Sequence, residues 1–253
     1  MSIARPEAPA AVQDFVRALD AALGEVLSEA LTATYLHGSA VLGGFVEGWS
    51  DVDVLFIVDS PSAEEVLRKA AHALTSASAH CPGRGVELSV VTADGARHPA
   101  APWPFLLHVT TDPADAKVVV GPDSGGDPDL VMHYAVCRAA GLAVRGGPPE
   151  AVIGEIYRHD VLAYLDRELA WGMRANSEAY AVLNACRAWH YVLKGEIVSK
   201  LDGARLAIER GGSDELIRSA VARQLGDRAD RAPSTAAGAF VSDVREFLRA
   251  RGS

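Results

Sequence analysis

Aromatic residues make up only 6% of this 253-residue chain, so Val, Leu, Ile and Ala must supply most of any core. Cysteine is scarcer still. Cys81, Cys137 and Cys186 are the three present, far apart and matching neither a metal-ligand spacing nor a disulfide framework. They read as reduced, buried thiols of a cytoplasmic protein. No apolar run approaches the ~20 residues that a membrane helix requires. The opening MSIARPEAPAAVQDF lacks the apolar stretch of a signal peptide. Positive charge is also in short supply, with 24 Lys and Arg against 33 Asp and Glu and a formal charge of −9. A chain so charged repels polyanions, which argues against a sequence-independent nucleic-acid groove and suits a cationic small-molecule partner. No internal repeat is visible. What is present, 49% hydrophobic and 23% charged residues, is ordinary for a folded protein and excludes global disorder. The length fits one large or two small domains.

Apolar residues at Val12, Phe15, Val16, Leu19, Leu23, Val26 and Leu27 recur at helical spacing and predict an amphipathic helix over 12–31. VDVLFIV at 52–58 reads as a buried strand and VELSVVT at 86–92 as an alternating one, with 62–78 helical and 117–120 a short strand. Beyond about residue 129 strand signals stop. Period-3.6 patterning then covers 130–144, 153–171, 177–194, 204–209, 215–225 and 236–249, with Gly146-Gly147-Pro148-Pro149 as a linker. The layout predicts an α+β chain. An N-terminal unit over 1–145 is followed by a helical bundle over 146–253, the boundary lying between about 122 and 150.

Chemistry concentrates in 37–58, HGSAVLGGFVEGWSDVDVLFIV. Asp51 and Asp53 stand two apart, so on a strand they share one face. Side by side they repel unless a cation lies between them, and Mg2+ fits such oxygen ligands. Gly38 lets backbone amides approach a phosphate, and Ser39 adds a hydroxyl. Glu87, inside the second predicted strand, is costly there unless paired or metal-bound, and joins the two aspartates if the strands are neighbours. Three carboxylates, a Gly-Ser turn and Mg2+ imply nucleotidyl transfer, the metal offsetting triphosphate charge and one carboxylate accepting the proton of the attacking hydroxyl. Alone, an Asp-x-Asp is a solvated strand end, a Gly-Ser is noise and Glu87 is a strand-edge residue; the conjunction carries the specificity.

The stretch 38–53, G-S-A-x-x-G-G-x-x-x-x-x-S-D-x-D, resembles the DNA polymerase β-type nucleotidyltransferase superfamily. Within it the chain is similar to the streptomycin/spectinomycin adenylyltransferases. Residues 86–91 resemble the strand bearing the family's catalytic glutamate, 127–130 (DPDL) the opening of its helical domain, and 182–200 a V-L-x-x-x-R-x-W…G-x-I-x-x-K stretch. The resemblance implies a polymerase β-like domain with a mixed sheet and a C-terminal α-helical bundle. It implies AMP transfer from ATP to a hydroxyl of a small, cationic, antibiotic-like molecule. Gly38, Ser39 and Ser50 would then meet the triphosphate, and Asp51 and Asp53 would hold Mg2+. Glu87 would share the metal and act as general base. Asp129, Arg187 and Lys200 would bind nucleotide from the second domain, and Trp171 and Glu178 would stand near the rim of an acidic acceptor pocket. Read without the family, Lys200 is either a phosphate ligand or a solvated lysine, and Arg187 either a phosphate ligand or an inter-helix ion pair. Arg174, and His108 at a position where a tryptophan is expected, depart from the pattern on the acceptor side. A nucleotidyltransferase acting on RNA ends or on a toxin protein, and a catalytically dead nucleotide-binding regulator, are the alternatives. The charge of −9 argues against an RNA path, and the intact Asp51, Asp53 and Glu87 argue against the regulator. Trp189 and His190 fit a packed helix face, and Asp166 and Glu168 cannot share one.

Overall fold

Valine- and isoleucine-rich runs need cover on both faces, and the first half of the chain supplies it with helices packed about a sheet. The computed structural model describes residues 7–121, 125–175, 177–226 and 234–252. Contacts divide it into two units, Met1–Ile156 and Tyr157–Ser253. In the first, β1 (Leu31–His37), β2 (Val52–Val58), β3 (Val86–Thr92), β4 (Leu107–Thr110), β5 (Lys117–Val120) and β6 (Leu142–Arg145) form one six-stranded sheet in the order β5-β4-β3-β2-β1-β6. Among these strands β2 and β3 are the one parallel pair, and the sheet is therefore mixed.

Helix α1 (Ala10–Leu27) buries Val12, Phe15, Val16, Leu19, Leu23 and Leu27, the face its spacing predicts. It stops short of the predicted residue 31 because Ser28 takes a positive φ of 51° and a single 3-10 turn leads into β1. Asp20 of α1 accepts hydrogen bonds from Thr34 at 2.6 Å and from Arg145 at 2.9 and 2.8 Å, which ties the helix to β1 and β6. Thr34 and His37 differ by an odd number of positions, so α1 covers the face opposite to His37. The short α2 (Ser39–Leu42) follows β1, α3 (Glu64–Ala77) makes the crossover from β2 to β3, and α4 (Ala93–Arg97) follows β3.

Two expectations are corrected here. The helix predicted over 130–144 is α5 (Leu130–Ala140), ended at Gly141, and 142–145 are the edge strand β6 against β1. Four residues are too few for periodicity to separate strand from helix; the open edge of β1 and the Arg145–Asp20 pair decide it. The boundary falls after Ile156 rather than 145. Residues read as linker are held to the first unit: Tyr35 donates to Gly147 O at 2.9 Å, Arg138 to Glu150 O at 2.9 Å and Ile153 O at 2.6 Å, and Gly154 N–H to Ala96 O at 2.9 Å. The one-turn α6 (Pro149–Val152) lies within that stretch.

The second unit contains α7 (Arg158–Ala175), α8 (Glu178–Lys194), α9 (Lys200–Glu209), α10 (Asp214–Gln224) and α11 (Thr235–Gly252). Helix α8 is its axis. Ala179, Val182, Leu183 and Cys186 bury against Ala204 and Ala207, Ile217 and Ala220, and Ala237. Alanines at these contacts let helices approach closely. Ser177 and Ser199 cap α8 and α9, accepting Tyr180 N–H at 3.3 Å and Asp202 N–H at 3.0 Å, and Gly195 closes α8 in the left-handed conformation. Trp189 packs on this core, edge-on to Phe240, and His190 is buried with Nε2 3.1 Å from Glu196. Asp166 and Glu168 meet different partners, Asp166 the guanidinium groups of Arg245 and Arg249 and Glu168 the Tyr180 hydroxyl. All three cysteines are free, Cys137 and Cys186 buried and Cys81 half-buried. Among the described residues no helix is long and apolar enough to cross a membrane.

Candidate active site

The sheet register assembles the site. His37 of β1 lies opposite Asp53 of β2, Asp53 opposite Glu87 of β3, and Glu87 opposite Thr110 of β4. Directly opposed residues share a face, so the carboxylates of Asp53 and Glu87 are cross-strand neighbours on the side away from α1. Asp51, two residues before Asp53, approaches from the loop ahead of β2. Gly38 has a φ of +68°, and a Cβ there would lie 1.7 Å from Asp53 Oδ2, so only glycine fits above the aspartate. Ser39, first residue of α2, donates its backbone N–H to the Asp53 carboxylate. Ser50 is buried, and its hydroxyl accepts the Val46 N–H at 3.0 Å. That bond closes the glycine-rich loop and leaves the hydroxyl proton as the group able to meet a phosphate.

Burial, then the neighbouring charges of Glu87 and Asp51, push the Asp53 carboxyl up to about 7. Opposing them is His133 of α5, whose Nε2 stands 3.6 Å from Glu87 Oε1. Burial works against a charge on His133, yet Glu87, Asp53, Asp127 and Asp129 together raise its pKa above the ordinary histidine value. The ring of His37 lies 4.9 Å from that of His133, and burial, reinforced by the His133 charge, holds His37 well below the ordinary range. Asp129, read as part of a segment opening the helical domain, instead stands just before α5 in the first unit. It stands close enough for its charge to act on His133.

Sequence reasoning missed His133, and it missed Arg84 with its partner Asp112. A histidine one turn past DPDL carries no periodic signal that links it to a strand carboxylate. Ser89, His108 and Asp127 have the composition of a hydrolytic triad, but both partners face Nδ1 of His108, at 3.1 and 3.6 Å, and Ser89 is fully buried. They brace the sheet.

Among the described residues no group of three or more His, Cys, Asp or Glu side chains is arranged so that it could already hold a metal ion. Asp51 faces Arg84, whose Nε is 3.8 Å from Oδ1. The donor chemistry nonetheless fits a hard divalent cation: Asp51, Asp53 and Glu87 supply oxygens only, and the crowding that suppresses ionisation of Asp53 is what such an ion relieves.

In the helical unit, Lys200 begins α9 with Nζ 4.7 Å from the centroid of the Tyr180 ring. Half-exposed Trp171 meets the same ring edge-on at 5.8 Å. Arg187 packs against Gly203 of α9, and its charge acts on Tyr180. The structure thus gathers Arg187, Lys200 and Trp171 about one tyrosine. Burial and Glu168 push the Tyr180 hydroxyl upward, so it stays a proton donor.

Glu178 is not a rim residue. It is 5% exposed and accepts hydrogen bonds from Arg223 at 3.0 Å and from the Ser234 backbone at 2.6 Å. Its charge is spent inside the bundle, joining α8, α10 and the start of α11. Glu178→Gln is expected to destabilise the protein by about 3 kcal/mol, because Arg223 loses its buried counter-charge. The melting temperature should fall by ~6–12 °C while the KM of any acceptor stays put. A change in acceptor KM with an unchanged melt would restore the rim assignment.

Residues 151–249 match the family described as aminoglycoside adenylyltransferase, C-terminal domain. The match covers the helical part of the chain and shows that this part is similar to that domain. Adenylyltransferases are nucleotidyltransferase enzymes, the activity class that the resemblance in 38–53 and 182–200 implies. The fold is similar to that of spectinomycin adenyltransferase AAD(9) from Enterococcus faecialis, whose crystal structure was obtained with ATP and spectinomycin. The TM-score is 0.73 over 93% of this chain and 98% of that chain, at 16% sequence identity. At that identity the likeness is one of fold, a mixed sheet followed by a helical bundle. No curated protein matches the sequence.

Proposed function

We propose that this protein transfers AMP from ATP, with Mg2+, to a hydroxyl group of a small cationic aminoglycoside or aminocyclitol. The observation that carries the reading is the in-register pairing of Asp53 with Glu87, with Asp51 two residues ahead of Asp53. Asp51 and Asp53 would hold the metal with Glu87 beside them. Bound there, Mg2+ supplies charge that offsets the triphosphate. Glu87 accepts the proton of the acceptor hydroxyl as its oxygen bonds to the α-phosphorus and pyrophosphate departs. Gly38 keeps the approach to Asp53 free of a side chain, and the Ser39 and Ser50 hydroxyls serve as donors to phosphate oxygens. Arg187, Lys200 and Asp129 are the remaining nucleotide contacts, the two cations supplying charge that an acidic protein otherwise lacks.

On the acceptor side Trp171 offers an exposed ring, and the net charge of −9 favours a cation. The fold neighbour crystallised with ATP and spectinomycin supports both co-substrates. Free thiols and the use of ATP fit action in the cytoplasm.

The test is pyrophosphate release from ATP with and without Mg2+, across a panel of aminocyclitols and aminoglycosides, with mass spectrometry of the acceptor. An AMP adduct formed only with the metal is expected. ATP binding without pyrophosphate release on any acceptor would sink the proposal. Lys200→Ala should raise the KM for ATP ~5–50-fold with kcat nearly unchanged, since a ground-state charge contact is lost. An unaltered KM for ATP would leave Lys200 only its place beside Tyr180.

A further inference from the structure

Arg84 lies in the short segment between Cys81 and β3, and that segment is pressed against the loop that carries Asp51. Three backbone bonds fasten the two: Gly48 N–H to Pro82 O at 2.9 Å, Arg84 N–H to Ser50 O at 3.0 Å, and Val52 N–H to Gly85 O at 2.9 Å. A Cβ on Gly83 would lie 2.3 Å from Ser50 O, and one on Gly85 2.5 Å from Asp112 N, so the flanking positions admit no side chain. The backbone of Arg84 is fixed in this way beside two acids. Its Nε is 3.8 Å from Asp51 Oδ1, and its Nη2 is ion-paired with Asp112 Oδ2. Asp112 is 8% exposed, and its other oxygen accepts the Ala114 N–H at 2.9 Å. A buried, immobile carboxylate therefore anchors the guanidinium, whose own side chain is 45% exposed. Neither residue has a part in the mechanism above.

We propose that Arg84, anchored by Asp112, is a positioning residue that acts as a built-in counter-cation for Asp51 and competes with the divalent metal for that carboxylate. The inference rests on reading Asp51 as a metal ligand. A guanidinium within 4 Å of a ligand oxygen opposes a second cation at the same oxygen. Asp51 then enters the metal site by exchange. A metal ion carried in with ATP brings phosphate charge that satisfies Arg84 as it gives Asp51 up, whereas a bare ion must displace Arg84 unaided. The site is thereby biased toward the metal–nucleotide complex over the free ion.

Binding of Mn2+ alone, titrated by electron paramagnetic resonance without nucleotide, tests this. Arg84→Gln, close in shape but neutral, should bind Mn2+ ~5–50-fold more tightly than the native protein. Arg84→Lys keeps the charge and should stay within about threefold of native. In Asp51→Asn the Arg84→Gln gain should vanish. Loss of a merely structural arginine would weaken binding, so tightening is the telling sign. Equal or weaker Mn2+ binding by Arg84→Gln, with Asp51→Asn still impaired, overturns the role of Arg84 and leaves the metal site standing. Mn2+ binding by Asp51→Asn equal to native overturns the metal reading itself, and absence of Mn2+ binding in every protein overturns both.

Discussion

Glu87→Gln is expected to lower kcat by ~10²–10⁴-fold while ATP still binds. Glu87 stands opposite Asp53 and 3.6 Å from His133, so it faces one acid and one base at the end of the sheet. Glutamine keeps the shape and the hydrogen-bonding reach of glutamate but cannot take the proton from the attacking hydroxyl. The loss should therefore fall on the chemical step and spare the KM for ATP. Pyrophosphate release at saturating ATP and acceptor, alongside calorimetry of ATP binding, separates the two. Turnover within about threefold of native would return Glu87 to the role of a strand-edge residue.

Asp53→Asn should abolish turnover and yet stabilise the fold at alkaline pH. The Asp53 carboxyl is held up to about 7 by burial, Glu87 and Asp51, whereas in the unfolded chain it titrates near ~3.9. Between those values the unfolded chain has released a proton that the folded chain retains, so stability falls as pH rises and the full loss is reached above 7. Asparagine carries no such term. With chelator present, Asp53→Asn should melt roughly 3–10 °C above native at pH 8 and alongside it at pH 4–5. Added Mg2+ should raise the melting temperature of the native protein and leave that of the variant unmoved. A variant that melts below native at pH 8 would show that Asp53 supports the fold rather than straining it.

Asp53 was legible as an acid entering a buried strand, whereas Asp51, expected on the same strand, stands in the loop just ahead of β2. Glu87 was legible as an acid in an apolar strand. Its neighbour was not, since parallel pairing of β2 with β3 is a non-local fact that the register supplies. Glu178 and residues 142–145 were misplaced because their partners are distant in sequence. Glu178 looks like a free acid at a helix start until Arg223 and Ser234 are brought to it. Residues 142–145 continue a helical pattern until the edge of β1 claims them. Arg84 and Asp112 stand in loops whose positions follow from the sheet alone. The amphipathic helices were legible throughout, because each displays its buried face within its own few turns.

The parallel pairing of β2 with β3 also acts as a ruler for length variation. Side chains alternate along a strand, so one residue inserted between Val86 and Glu87 would send the glutamate to the face covered by α1 and leave the inserted residue beside Asp53. The segment from Gly83 to Gly85 is almost as intolerant, since it is fastened bond for bond to the loop before β2. The turn after α3 is freer at its tip, where Ala79 and His80 are exposed, beyond the buried Ser78 that donates to Leu74 O at 2.7 Å. Insertions and deletions among enzymes built on this sheet should therefore collect in that turn, and a tag or reporter peptide placed there should leave the carboxylate row intact.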